Sequence, residues 1–170
     1  MPTPSDPEPP APVKVVLFLC TGNYYRSRHA EAVFNHHATA RGIGWRAGSA
    51  GLALERGAHN VGPIARATVE RLAALGIPHD AYLRLPRPAT AEELAAADLV
   101  VALKEAEHRP LLAERFPGWD GRADYWAVHD VEAATPDEAL PEIEREVLRL
   151  VERLAGSEPA EVRPASPFGV

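Results

Sequence analysis

Cys20 is the only cysteine in the chain, and the residues after it are of the kind that bind anions. The stretch reads Cys20-Thr21-Gly22-Asn23-Tyr24-Tyr25-Arg26-Ser27, with five residues between the thiol and the arginine. A cysteine is a weak nucleophile as a thiol and a strong one as a thiolate. A tight loop that turns its N–H groups inward and opens a helix is a natural anion site. Such a loop is expected to lower the Cys20 pKa and to hold a phosphate above the sulfur. Arg26 would grip two phosphate oxygens through its planar fork. Ser27 would donate its hydroxyl to the sulfur, first as nucleophile and later as leaving group. This is the chemistry of phosphate-ester hydrolysis through a phosphocysteine.

Each residue also has a plainer reading. A lone cysteine is often a buried core thiol, but a core thiol does not require an arginine and a loop glycine at these spacings. Gly22 and Asn23 suit an ordinary turn, and both tolerate the left-handed backbone that a loop curled around an anion needs. Arg26 falls on the first turn of a helix, where the dipole disfavours a cation unless an anion sits nearby. Arg28 repeats the pattern and reads as a solvated side chain. Ser27 also suits a helix cap. Tyr24 and Tyr25 either line the pocket entrance or pack against neighbouring loops.

The elements that must position these groups alternate. Residues 13–19 are apolar and β-branched, as in a buried parallel strand. Residues 27–40 carry apolar positions at helical spacing, and Arg41-Gly42 breaks the pattern. A second strand is expected at 45–50 and a helix at 63–75 with Gly76 beyond it, followed by an extended piece at 81–85. Thr90 and Glu93 form a capping-box pattern for a short helix at 91–96. Residues 98–103 read as a third strand and 104–115 as a helix containing Pro110; a fourth strand follows at 125–128. The strongest helical pattern runs over 137–154, with Leu140, Ile143, Val147, Leu150, Val151 and Leu154 on one face. Alternating strands and helices predict an α/β fold with a parallel sheet covered on both faces. Ligands bind beyond the carboxyl ends of such strands, where both Cys20 and Asp130 are placed.

The bulk properties narrow the class. At 170 residues the chain suits one domain, expected over 13–155, with a proline-rich N-terminal extension (1–12) and a C-terminal tail (156–170). The net charge of −6 argues against general nucleic-acid binding. No apolar run approaches the ~20 residues that span a bilayer, so no membrane partner is expected. Residues 1–12 lack the basic start and apolar middle of a signal peptide. A single cysteine cannot form an internal disulfide, which suits a reducing cytoplasm.

The loop resembles that of the low-molecular-weight protein tyrosine phosphatases, which open with Cys, five residues, Arg and Ser after the first strand. The likeness continues through Ala30-Glu31-Ala32-Val33-Phe34, Gly48-Ser49-Ala50-Gly51, Leu75-Gly76-Ile77-Pro78 and Ala97-Asp98-Leu99-Val100-Val101. It covers about residues 13–155. The resemblance implies a flavodoxin-like, three-layer α/β/α sandwich with a four-stranded parallel sheet. It implies a phosphocysteine mechanism on phosphotyrosine proteins or small aryl phosphates, with no metal and no organic cofactor. It assigns Cys20, Arg26 and Asp130 to catalysis, and Thr21, Gly22, Asn23, Tyr24, Tyr25 and Ser27 to substrate binding. Asp130 would be the general acid, with Asp137 as the alternative. Two features depart from the family pattern. Val131 stands where the acid is usually followed by proline, and Tyr25 stands where many members carry a second cysteine. The first keeps open a catalytically silent phosphoanion-binding module. The second excludes the protective disulfide those members can form, and the absence of any further cysteine leaves arsenate reduction dependent on an external thiol.

Overall fold

A computed structural model describes residues 13–58, 60, 62–128 and 136–156, with the side chains of residues 136 and 137 excepted. Its centre is a four-stranded sheet in the order β2-β1-β3-β4. The strands are β1 (Lys14–Cys20), β2 (Trp45–Gly51), β3 (Leu99–Ala102) and β4 (Asp124–Tyr125), and every neighbouring pair is parallel. The register sets Cys20, the last residue of β1, opposite Gly51 at the end of β2. The helices are α1 (Arg26–Arg41), α2 (Arg66–Ala74), α3 (Ala91–Ala96), α4 (Glu105–Arg115) and α5 (Pro136–Gly156).

Strand alternation sorts the core into two halves. Val16 and Phe18 of β1 face a cluster that includes Val33 and Phe34 of α1, Leu72 of α2, and Ile143 and Val147 of α5. Leu17 and Leu19 face the other way, onto Leu94 of α3 and Leu111 and Leu112 of α4. The result is the three-layer α/β/α arrangement with the Cys20 loop directly after the first strand. Among the described residues no helix is long and apolar enough to cross a membrane.

The local signals hold where the chain answers only to itself. The N-cap half of the capping box forms, with Glu93 N–H donating to Thr90 Oγ1 at 3.1 Å, while the Glu93 carboxylate pairs with Arg87; α3 spans the expected residues. Gly42 ends α1 with φ +66, a conformation that L side chains resist. Four expectations change. The helix expected from 63 begins at Arg66, because the preceding residues are tied to the Cys20 loop: Ala65 N–H donates to Tyr24 O at 2.9 Å. The piece expected to be extended at 81–85 begins in a short 3-10 turn, Asp80–Tyr82. The fourth strand pairs regularly only at Asp124 and Tyr125; beyond it, Trp126 and Val128 still donate to Ala102 O and Leu103 O. Gly156, expected to open the C-terminal tail, is the last residue of α5. The remainder of that tail, the N-terminal extension, His129 and Asp130 lie outside the described residues.

Candidate active site

The loop after β1 is held from behind by one side chain. Asn23 takes the left-handed conformation, φ +48, which asparagine tolerates better than most residues. Gly22, expected to share that role, has no positive φ. The Asn23 amide is fully engaged. Its Nδ2 donates to Ser27 Oγ and to Ser49 Oγ, both at 2.9 Å, and its Oδ1 accepts from Arg87 N–H at 3.0 Å. Because Ser27 Oγ accepts from Asn23, its own proton can be given to Cys20 Sγ, 2.9 Å away. Ser27 is therefore not the cap of α1. Tyr25 holds the N-cap position, without a side-chain cap, and Ser27 is the second residue of the helix. The end of β2 presses close to the loop. A Cβ on Gly51 would lie 2.9 Å from Thr21 O and 3.1 Å from Asn23 N, so this position requires glycine.

Arg26 is buried at the start of α1, and its charge is met by a carboxylate absent from the sequence reading. Glu107, on the first turn of α4, accepts from Arg26 Nη1 at 2.7 Å and from Nη2 at 3.2 Å. Thr21 Oγ1 donates to the same carboxylate at 2.9 Å. Partial burial pushes the Glu107 pKa up, but the hydrogen bond and charge of Arg26 outweigh it and leave the carboxyl below its usual range. The pair offsets the unfavourable dipole at the first turn of α1 and fixes the guanidinium beside the loop.

Arg28 overturns its reading as a solvated side chain. It is fully buried and donates to four backbone carbonyls. These are Asn23 O at 3.0 Å, Pro63 O at 3.1 Å, Arg84 O at 2.6 Å and Tyr82 O. One guanidinium thus staples the Cys20 loop to two distant loops. Burial, with Arg84 adding to it, brings the Arg28 pKa down to about 10, while Glu31 and the Cys20 sulfur act in the opposite sense. It remains a cation at neutral pH. Below it, Ser49 donates to Glu31 Oε1 at 2.5 Å, and Arg84 Nη2 donates to Glu31 Oε1 at 2.8 Å and to Ser49 Oγ at 3.0 Å. A continuous polar network therefore runs from Arg84 to the sulfur.

The structure brings Cys20, Thr21, Gly22, Asn23, Arg26 and Ser27 together in one loop and helix start. Tyr25 is buried in the main core, and Tyr24 is half-buried against the same cluster. Tyr25 is thus a core ring, whereas Tyr24 keeps part of its surface open. Asp130 and the side chain of Asp137 lie outside the described residues, so the choice of acid rests on sequence. Sequence reasoning missed Glu107, Ser49, Glu31, Arg84 and Arg87. Glu107 had a readable signal: it follows β3, whose carboxyl end opens on the same edge as Cys20.

Comparison with known proteins gives a consistent result. The family model described as low molecular weight phosphotyrosine protein phosphatase matches residues 15–158. A protein-arginine-phosphatase of Bacillus subtilis (strain 168) is 34% identical over 101 residues, which span 59% of this chain and 62% of that protein. Among solved structures, YfkJ from Bacillus subtilis superposes with a TM-score of 0.73 at 25% identity, over 86% of this chain and 98% of that one. The low molecular weight protein tyrosine phosphatase from T. tengcongensis gives a TM-score of 0.66 at 27% identity, over 85% of this chain and 99% of that one.

Proposed function

Because the chain belongs to the low molecular weight phosphotyrosine protein phosphatase family, we propose that it hydrolyses phosphotyrosine or aryl phosphate monoesters through a phosphocysteine. The observation that carries this reading is the 2.9 Å contact between Cys20 Sγ and Ser27 Oγ, inside a loop whose arginine is clamped in place. The Cys20 thiolate attacks phosphorus, and the bond from phosphorus to the ester oxygen breaks. Arg26 and the loop N–H groups hold the three phosphoryl oxygens, and this electrostatic share is the larger part of the catalysis. Asp130 gives its proton to the departing oxygen. A positioned acid of this kind contributes ~10² to 10⁴ in rate. The ionised Asp130 then takes a proton from water as the water attacks the phosphocysteine, releasing inorganic phosphate and restoring the thiolate. Ser27 donates to the sulfur both when it attacks and when it leaves. The work is placed in the cytoplasm, where the lone thiol stays reduced.

The assay is turnover of 4-nitrophenyl phosphate by wild type and Cys20→Ser, with mass analysis of the quenched wild type. Cys20→Ser is expected to lose at least ~10³ in kcat, in line with removal of a covalent nucleophile. The wild type is expected to gain one phosphoryl group on Cys20. Equal rates in the two proteins would remove the reading, and tight vanadate binding without any turnover would support a silent phosphoanion-binding module instead. A second substrate class is favoured by the protein-arginine-phosphatase relative. Phosphoarginine carries its phosphoryl group on nitrogen, which also needs a proton on leaving, so the same residues would serve. Parallel rates on phosphotyrosine and phosphoarginine peptides separate the two.

A further inference from the structure

A cavity of about 330 Å³ lies away from the Cys20 sulfur, on the sheet face that carries α3. Val15 and Leu17 of β1 form its floor together with Ala47 and Gly48 of β2, and Ala96 and Ala97 close it at the end of α3. The register explains why it exists. Val15 pairs with Arg46 and Leu17 with Gly48, so these residues share one face of the sheet at its β2 edge. At Gly48 the floor has no side chain. A Cβ there would meet Arg87 Nη2 at 3.6 Å and Leu17 Cδ1 at 3.9 Å, so larger residues fit the backbone and would fill the space. The volume is at the lower end of small-molecule sites.

The charges of the lining residues do not balance. Arg87 is paired with Glu93 and donates from Nε to Ser49 O at 3.0 Å. Arg46, also in the lining, is exposed, and its side chain has no hydrogen-bond or ion-pair partner among the described residues. Among the lining residues two guanidiniums stand against one carboxylate, which leaves Arg46 to meet an anion over the apolar floor; Asp98, whose carboxylate accepts from Val15 N–H at 2.8 Å, sits outside the lining. That matches a monoanion, and Glu93 would repel a second negative charge. We propose that this cavity binds a small organic carboxylate, with its charged group on Arg46 and Arg87 and its apolar body on Val15, Leu17 and Gly48. The site shares Arg87 with the Cys20 loop, since the Arg87 main-chain N–H holds Asn23 Oδ1.

The test is a titration of the full chain with 2-naphthoate, followed by amide NMR shifts. Saturable shifts centred on Gly48, Ala96 and Ala97 are expected. Arg46→Glu should weaken binding about ten-fold or more, as loss of a charge-assisted hydrogen bond implies. Gly48→Leu, which fills the floor, should do the same. Arg26→Ala, in the Cys20 loop, should leave the affinity within about two-fold, as expected of a separate site. Three outcomes overturn the proposal: no saturation by about 10 mM, a ligand far below the affinity of ordinary small-molecule sites; affinity undiminished in Arg46→Glu; or binding lost in Arg26→Ala. Arg46 is exposed, so its variant reports on binding even if Gly48→Leu folds poorly.

Discussion

Helices α1 and α5 lie on the same face of the sheet and pack against each other, yet they are built on opposite plans. The side chains that α5 buries are apolar: Leu140, Ile143, Val147, Leu150, Val151 and Leu154 recur at helical spacing and face the core. Helix α1 opens with Arg26, Ser27, Arg28, His29 and Glu31, every one of them buried, and turns apolar only around Ala30, Val33 and Phe34. A buried polar group costs free energy unless it is hydrogen-bonded. The first turns of α1 meet that cost with long-range partners: Glu107, the Arg84 carbonyl, Glu144 and Ser49. The contrast separates two tasks. Helix α5 supplies adhesion that many apolar residues could supply, whereas α1 spends stability on holding particular atoms in particular places around Cys20.

The sharpest way to break that contrast is at Arg28. Arg28→Ala would leave four carbonyls without their donor and release the Cys20 loop from two others. A loss of about 3–5 kcal/mol is expected, from several buried acceptors left unmet at once. Thermal unfolding should show it as a fall in Tm of about 10 °C or more. Phosphatase activity per folded molecule should fall as well, because the Asn23 carbonyl is one of the four. Retained activity at a lowered Tm would make Arg28 structural only.

Ile143→Ala in α5 probes the other plan. Ile143 is fully buried in the larger core cluster, and deleting its methyl groups should cost about 2–4 kcal/mol. Here the folded fraction should keep its kcat/KM, read at a temperature where both proteins are native. If this variant loses specific activity as steeply as Arg28→Ala, the division of labour between the helices is wrong.

The same division decides what the sequence reveals. The apolar face of α5, the capping box at Thr90 and Glu93, and the strand leading to Cys20 are local patterns, and local patterns can be read from one chain. The Cys20-to-Ser27 spacing is local too, so the centre of the site was legible. Its supports were not. Arg26 and Glu107 are 81 positions apart, and Arg28 reaches Arg84 across 56. No periodicity encodes such pairs; the first exists only once β1 and β3 lie side by side, the second only once the segment carrying Arg84 closes over the start of α1. Arg28 misled for that reason, since a charged residue on a helical first turn looks solvated until the loops that cover it are in place.

Glu107→Gln tests a smaller effect. Glutamine keeps the shape but loses the charge that orients Arg26, and its amide presents a donor where the carboxylate accepts. A fall of about ten-fold in kcat/KM is expected, the size of one charge-assisted hydrogen bond. Stability should fall by about 1–3 kcal/mol, since Arg26 is buried and loses the charge that meets its own. An equal loss in the Thr21→Val variant, which removes only the hydroxyl bond to Glu107, would shift the role from Arg26 to the loop itself.

The smallest effect lies where the two helices meet. His29 Nε2 of α1 is 2.9 Å from Glu144 Oε2 of α5, and Arg71 of α2 donates to both oxygens of the same carboxylate. Burial pulls the His29 pKa below its ordinary value, so near neutral pH His29 gives an N–H to Glu144 without carrying a charge. For Glu144, burial pushes the pKa up, but the bonds from Arg71 and His29 prevail and bring it down to about 2. A carboxylate with a depressed native pKa stabilises the fold above its unfolded value, near 4.5. That contribution fades as the pH falls from there toward about 2. Glu144→Gln should therefore cost about 1–2 kcal/mol at pH 7, allowing for solvent screening. In urea unfolding, the gap between wild type and variant should narrow steadily below pH 4.5. A gap that stays constant down to pH 3 would mean that α1 and α5 are joined by shape alone at this point, and that the polar plan of α1 stops short of its neighbour.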